Sequence, residues 1–266
     1  TENDSPAVAR FRASLGADDV LTEAAVRYMF KHRSSGLTYQ GGRGSIRPVL
    51  DTLVSTFGDL DQVPSSPVVA FSDASHMGLA QDRMRNYSGC AIYVFGHLVQ
   101  WSSKMQTIAA GSTFEAELIA ASSASDKSLW FYHLMESLPF LFSIRRPVSI
   151  PMFIDNMAAL SVSNHPNSST KSRHVALREF RIRDHHEANK IRPFFCPGPL
   201  NVSDFFTKML QKTLFNVALG RLGVIGNHHV AQQAEYKFTR PLENWLEPSR
   251  SKTWKLFHAF QGRVGY

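Results

Sequence analysis

Residues 68–75 read V-V-A-F-S-D-A-S, and they are followed, after a loop, by G-C-A-I-Y-V-F at 89–95, G-H at 96–97 and L-V-Q-W-S at 98–102. Val68–Ser72 is a short apolar run with β-branched residues, bounded by Pro67 and by a polar loop, which predicts a strand buried on both faces. Gly96-His97 turns the second apolar run back into the third, so the three runs predict three consecutive antiparallel strands. Working outward, Ser112–Leu138 has helical periodicity, Pro147–Ile154 reads as a fourth strand and Met157–Ser163 as a short helix. Lys171–Asn189 reads as a longer charged helix and Ile191–Cys196 as a fifth strand. A further helix is expected to begin near Asn201, run toward Leu210 and resume through Leu222. Three antiparallel strands followed by strands alternating with helices give an α/β class with a five-stranded mixed sheet flanked by helices.

Acidic residues stand at the ends of these elements. Asp73 follows the first strand, Glu117 lies in the first long helix, Asp155 follows the fourth strand and Asp204 opens the last helix. Carboxylates crowd together only when a cation offsets their repulsion, so four at neighbouring element ends point to Mg²⁺ or Mn²⁺, which take oxygen ligands. Two such ions, roughly 3.5–4 Å apart, activate water and stabilise the leaving oxygen of a phosphodiester. Asp73 and Asp155 also read as loop caps, and Asp204 as an acid favoured by a helix dipole. Ser112 and Glu115 fit a capping box in which Glu115 reaches back to the backbone of Ser112. Glu117, two residues on, points to another side of the helix and is the expected ligand.

The segments S-D-A-S (72–75), W-S-S-K (101–104), S-T-F-E-A-E-L-I-A (112–120), I-D-N (154–156) and S-D-F-F-T-K (203–208) together resemble, in order and spacing, the RNase H region of copia-type LTR retrotransposon polyproteins. Upstream, R-Y-M-F-K-H-R-S-S-G-L-T-Y (27–39) is similar to the segment joining reverse transcriptase to RNase H in those polyproteins, and downstream the likeness continues from Leu214 to Val224. The resemblance implies an RNase H-like fold. It makes Asp73, Glu117, Asp155 and Asp204 both the catalytic residues and the ligands of two Mg²⁺ or Mn²⁺ ions. The implied reaction is cleavage of the RNA strand of an RNA–DNA hybrid. Cellular RNases H carry a mobile histidine before the last acid. Cys196-Pro197-Gly198-Pro199-Leu200 has none, so proton transfer is expected to fall to water.

On this reading residues 1–40 are a helical remnant of the reverse transcriptase connection, 41–67 a linker with a short helix around Val49–Phe57, 68–226 the RNase H-like domain and 227–266 an aromatic, basic C-terminal extension. Two short helices are expected between Pro6 and Tyr39. The extension carries Trp245, Trp254, Phe257 and Phe260 among Lys and Arg, and it is expected to pack on the core or to grip a partner chain or RNA.

Lys and Arg number 29 against 22 Asp and Glu, a formal charge of +7, which favours an acidic partner such as nucleic acid. Ser75 and Asn156 are candidates to touch a nucleic-acid backbone, with local turn bonding as the alternative. Lys171, Arg173, Arg178, Arg181 and Arg183 form either a phosphate-facing stripe or a solvated helix face. His185-His186 and His228-His229 are adjacent pairs, which face apart on a helix and have no Cys company, so zinc is not expected. Cys90 and Cys196 are too few for a disulfide framework, which suits an intracellular, reducing compartment, an organelle such as the mitochondrion included. No run of eighteen apolar residues appears, so no membrane partner is expected. The chain opens on Thr1, as a processed product or part of a longer chain does, and it has no palm with paired aspartates, so polymerisation is not expected. An alternative function follows from that missing palm, the extension and the basic charge: a domesticated, non-catalytic RNA-binding or structural subunit of a large ribonucleoprotein such as an organellar ribosome.

Overall fold

The structure is a computed structural model, and it describes residues 35–37, 39, 44–58, 60, 63, 66–75, 86–157, 160 and 181–225 of the 266. The expected helices before Gly36 and the 227–266 extension lie outside these residues, as do most of 157–163 and the first part of 171–189.

Five strands form the central sheet: β2 (Val68–Ala74), β3 (Tyr87–Val94), β4 (His97–Met105), β5 (Ile150–Ile154) and β6 (Ile191–Phe195). Their order is β4-β3-β2-β5-β6. The first two pairings are antiparallel and the last two parallel, so the mixed α/β sheet is the one the sequence predicts. A short strand β1 (Gly36–Leu37) pairs antiparallel with β7 (Val224–Ile225), joining the residues just before the expected linker to the end of the domain.

Period-2 alternation sends the residues of β2 into two cores. Val68 and Ala70 join Cys90, Ile92, Met152 and Ile154 under the long helix α2 (Thr113–Ser137), against Leu118, Ala121, Ala124 and Phe131. Val69 and Phe71 join Tyr93, Leu98 and Phe153 on the other face, against helix α1 (Arg47–Phe57) and against Leu200, Val202 and Leu222. The stretch expected as a linker is therefore in part a layer of the fold, because Val49, Leu50 and Leu53 put a buried stripe of α1 on the sheet. A close backbone approach fixes where α1 begins. Ile46 N–H donates to the Gly96 carbonyl at 3.2 Å, and Gly44 packs so tightly on Gly96 that a Cβ would collide with its backbone. Phe95 and Gly96 both have positive φ, the conformation that lets a two-residue turn follow the strand twist.

α2 is capped by Ser112, whose hydroxyl accepts from Glu115 N–H at 3.1 Å. Glu115 reaches back one residue further than a capping box requires, accepting from Gly111 N–H at 2.8 Å rather than from Ser112. The expected helix from Asn201 to Leu210 is instead a 3₁₀ turn, Val202–Phe206, followed by a break and then α3 (Lys212–Leu222). No helix among the described residues is long and apolar enough to cross a membrane.

Candidate metal centre

The parallel pairing of β2 with β5 sets Ser72 opposite Ile154, so the next residues, Asp73 and Asp155, leave neighbouring strands at the same end of the sheet. Asp204 reaches them from the 3₁₀ turn, which is stapled to two strands, β2 and β4. Asn201 accepts from Ser203 N–H at 3.1 Å and donates its side-chain amide to the Ser72 carbonyl at 2.9 Å. Ser103 donates to the Phe206 carbonyl at 2.5 Å. Gly89, paired with Asp73 across the sheet, leaves room for the turn, since a Cβ there would lie 2.6 Å from the Thr207 methyl and 2.9 Å from the Ser203 carbonyl oxygen.

Asp73, Asp155 and Asp204 each offer a carboxylate oxygen within 4.8 Å of the others. Glu117 is outside that trio but in its field. It is 4 % exposed, accepts a hydrogen bond from the Ala74 N–H, and keeps Oε2 with no partner among the described residues. Burial, then the charges of Asp155 and Asp73, push its carboxyl up to about 9. Burial and Asp73 push Asp155 up to about 7, with Lys208 opposing. Burial and Asp73 likewise push Asp204 up to about 6, against Lys208.

Two side chains quoted in the 203–208 segment, but given no role by sequence reasoning, hold two of the three aspartates. The Thr207 hydroxyl donates to Asp73 Oδ2, and Lys208 Nζ lies 3.2 Å from Asp73 Oδ1 and 2.8 Å from Asp204 Oδ1. Burial lowers the Lys208 pKa, but Asp73 and Asp204 outweigh it and hold the ammonium above its ordinary value. The i,i+4 spacing of Asp204 and Lys208 is the signal that points to the pair in sequence.

An all-carboxylate set with one unpartnered buried oxygen and acids held above their ordinary range fits a hard divalent cation. The other candidates are placed differently. Ser75 extends the β2–β3 ladder, its N–H donating to the Tyr87 carbonyl at 3.0 Å and its hydroxyl accepting from Tyr87 N–H at 2.9 Å. The Asn156 carbonyl accepts from Leu160 N–H at 3.0 Å. Arg181, on the exposed side of the helical segment 181–187, pairs with Asp126 at 2.8 Å, whereas Arg183 is buried. Of the five-residue basic stripe, the two described members thus do not share a face, and Lys171, Arg173 and Arg178 lie outside the described residues. His186 Nδ1 faces the Ile191 carbonyl at 3.3 Å, and burial lowers the pKa of both His185 and His186. Cys90 and Cys196 are free and buried.

No protein-family model matches the chain. It is similar to the retrovirus-related Pol polyproteins of two Arabidopsis thaliana transposons, RE1 (27 % identity over 155 residues, 58 % of this chain) and RE2 (28 % over 156 residues, 59 %). It is also similar to that of Nicotiana tabacum transposon TNT 1-94 (23 % over 185 residues, 69 % of this chain). These are copia-type transposon polyproteins, and the match spans only 10 % of RE1 and of RE2 and 14 % of the tobacco relative. Among solved structures it is similar to the N-terminal RNase H domain of a Mycobacterium tuberculosis protein fused to maltose binding protein (11 % identity, TM-score 0.39, 57 % of this chain and 94 % of that one). A foamy viral protease-reverse transcriptase in complex with RNA/DNA hybrid is similar at 13 % identity and TM-score 0.39, over 53 % of this chain and 19 % of that one.

Proposed function

We propose that this chain is an RNase H-type endonuclease that hydrolyses the RNA strand of an RNA–DNA hybrid, with Asp73, Glu117, Asp155 and Asp204 holding two Mg²⁺ or Mn²⁺ ions. The observation that carries the reading is the convergence of three aspartate carboxylates within 4.8 Å beside a buried glutamate that keeps one oxygen unpartnered. Uncompensated, such a cluster destabilises the protein, and bound divalent ions remove the penalty. When bound, such ions lower the pKa of water and stabilise charge on the leaving oxygen.

The residues of the chain supply preorganisation. Asp73 and Asp155 sit on a paired strand and at the end of its neighbour, so their oxygens need little rearrangement to serve as ligands. Asp204 is held by the Asn201 staple, and Glu117 enters from the opposite layer on α2. Ser75, its oxygen engaged by Tyr87, keeps an O–H to donate to a phosphate, and Asn156 adjoins Asp155 to do the same. Lys171, Arg173, Arg178 and Arg181 would neutralise backbone charge further along the duplex. The two free, buried thiols suit a reducing interior compartment.

A labelled hybrid tests this. Wild type is expected to cut the RNA strand with Mg²⁺ or Mn²⁺, and Asp155→Asn to fold but not cut. One observation favours a second reading, a non-catalytic RNA-binding subunit of a ribonucleoprotein: Lys208 gives Asp73 and Asp204 a partner that needs no metal. A folded wild type that binds RNA but leaves the hybrid intact with both ions supports this reading over the first. Loss of complex association on deleting residues 240–266, with stability unchanged, would place the subunit contact in the extension.

A further inference from the structure

Both oxygens of Asp73 are already engaged by side chains of this chain, Oδ2 by the Thr207 hydroxyl and Oδ1 by the Lys208 ammonium. The same ammonium lies 2.8 Å from Asp204 Oδ1, so it bridges two of the three converging aspartates. The two ends of Lys208 are held differently. Its backbone N–H donates to the Asp204 carbonyl at 3.0 Å, which anchors the Cα within the turn. Its side chain is 41 % exposed, while that of Asp73 is fully buried. The charged head can therefore swing outward on a flexible four-carbon stem while the turn that carries Asp204 stays in place.

We propose that Lys208 is a resident counter-ion of the acidic site, holding Asp73 and Asp204 together in the metal-free protein and leaving when a divalent cation enters. This rests on the metal-binding reading above and adds to it a threshold. A cation must displace an ammonium already bound to two of its ligands, so Lys208 weakens metal binding while stabilising the empty site. A compact ammonium suits this role better than a guanidinium, which would hold the carboxylates in a fixed fork and be harder to displace. Because Lys208 is partly exposed, solvent screening limits the effect to about tenfold in affinity rather than the far larger factor of a dry pair.

The test uses the full chain and MnCl₂ alone, titrated calorimetrically. Lys208→Met is expected to bind Mn²⁺ about tenfold more tightly than wild type and, without metal, to melt at a lower temperature. Lys208→Arg is expected to bind no more tightly than wild type. A wild-type measurement that needs no variant accompanies it: acylation of Lys208 by an amine-reactive reagent, followed by mass spectrometry, is expected to speed up at saturating Mn²⁺ while other lysines are unchanged. Equal Mn²⁺ affinity in wild type and Lys208→Met, or labelling of Lys208 that Mn²⁺ leaves unchanged or slows, overturns the counter-ion role but leaves the metal site standing. Absence of saturable Mn²⁺ binding in folded wild type and variants overturns the metal reading itself, and the inference with it.

Discussion

Along the middle of α2, buried polar groups are satisfied within the helix: Ser125 donates to the Ser122 carbonyl at 2.8 Å and Ser128 to the Ala124 carbonyl at 2.9 Å, beneath a layer of alanines against the sheet. Two turns earlier on the same helix Glu117 is as deeply buried, yet it keeps an oxygen unpartnered among the described residues and faces two like charges. The middle of the helix follows the rules of a stable core, whereas at the end of the sheet carboxylates gather and buried groups beside them, Glu117 Oε2 and the Ser72 and Ser203 hydroxyls, have no partner among the described residues. Such a difference is what separates residues kept for packing from residues kept for a ligand. Variants that remove packing should lower stability and leave metal affinity alone, whereas variants at the acidic end should change metal affinity.

The largest effect is expected from the packed region. Phe153→Ala removes a ring stacked 5.0 Å from Phe71 in the core beneath α1, and should lower unfolding free energy by about 3–5 kcal/mol in urea titrations. Mn²⁺ affinity, measured where the variant remains folded, should stay near that of wild type.

Next in size is the pH response of the acidic end. Glu117, Asp155 and Asp204 are raised to about 9, 7 and 6 in the folded protein, from ordinary values of 4.5 and 3.8 for Glu and Asp. Their stabilising contribution is therefore complete below the unfolded values and is lost as pH rises through the folded ones. Metal-free protein should lose stability progressively between pH 5 and pH 9 as the three acids ionise, which a pH series of urea titrations reads. Saturating Mg²⁺ should flatten that slope, because the ion favours the ionised carboxylates. A metal-free stability that instead rises across this range would show the acidic end to be satisfied like the core.

Gly89→Ala sits at the boundary between the two regions and should move both readouts. Its new Cβ presses on Thr207 and Ser203, so a stability loss of about 1–2 kcal/mol is expected, together with weaker Mn²⁺ binding as the Asp204 turn shifts. Arg181→Ala is the smallest. Its exposed pair with Asp126 is worth less than about 1 kcal/mol, and metal affinity should not change. A shallower salt dependence of hybrid binding would assign the residue to a phosphate contact.

The sheet was legible because its strands are short, β-branched and bounded by turn residues, and because Asp73 and Asp155 each stand at a strand end that topology brings together. What pattern could not show was tertiary. Val49–Phe57 reads as a short helix within a linker and is a helix, but nothing local reveals that its Val49, Leu50 and Leu53 cover the second face of the sheet until the sheet is built. The turn at 202–206 reads as helix from its residues, but it is a short 3₁₀ turn pinned at its start by Asn201 to Ser72 and just past its end by Thr207 to Asp73. Gly89, Ser103 and Thr207 acquire meaning only from partners about 100 or more residues away in the chain, and so does the half of the Lys208 bridge that reaches Asp73. Arg181 and Arg183 look equivalent in sequence and differ because only one of the two faces outward.

Diffraction from crystals of the full chain grown with Mn²⁺, collected at a wavelength where manganese scatters anomalously, tests the acidic end most directly. The account expects an anomalous peak in contact with the carboxylates of Asp73 and Asp155, and Lys208 Nζ withdrawn from Asp73. An ordered site with the four acids in place, no peak at saturating Mn²⁺ and Lys208 still between Asp73 and Asp204 would contradict it.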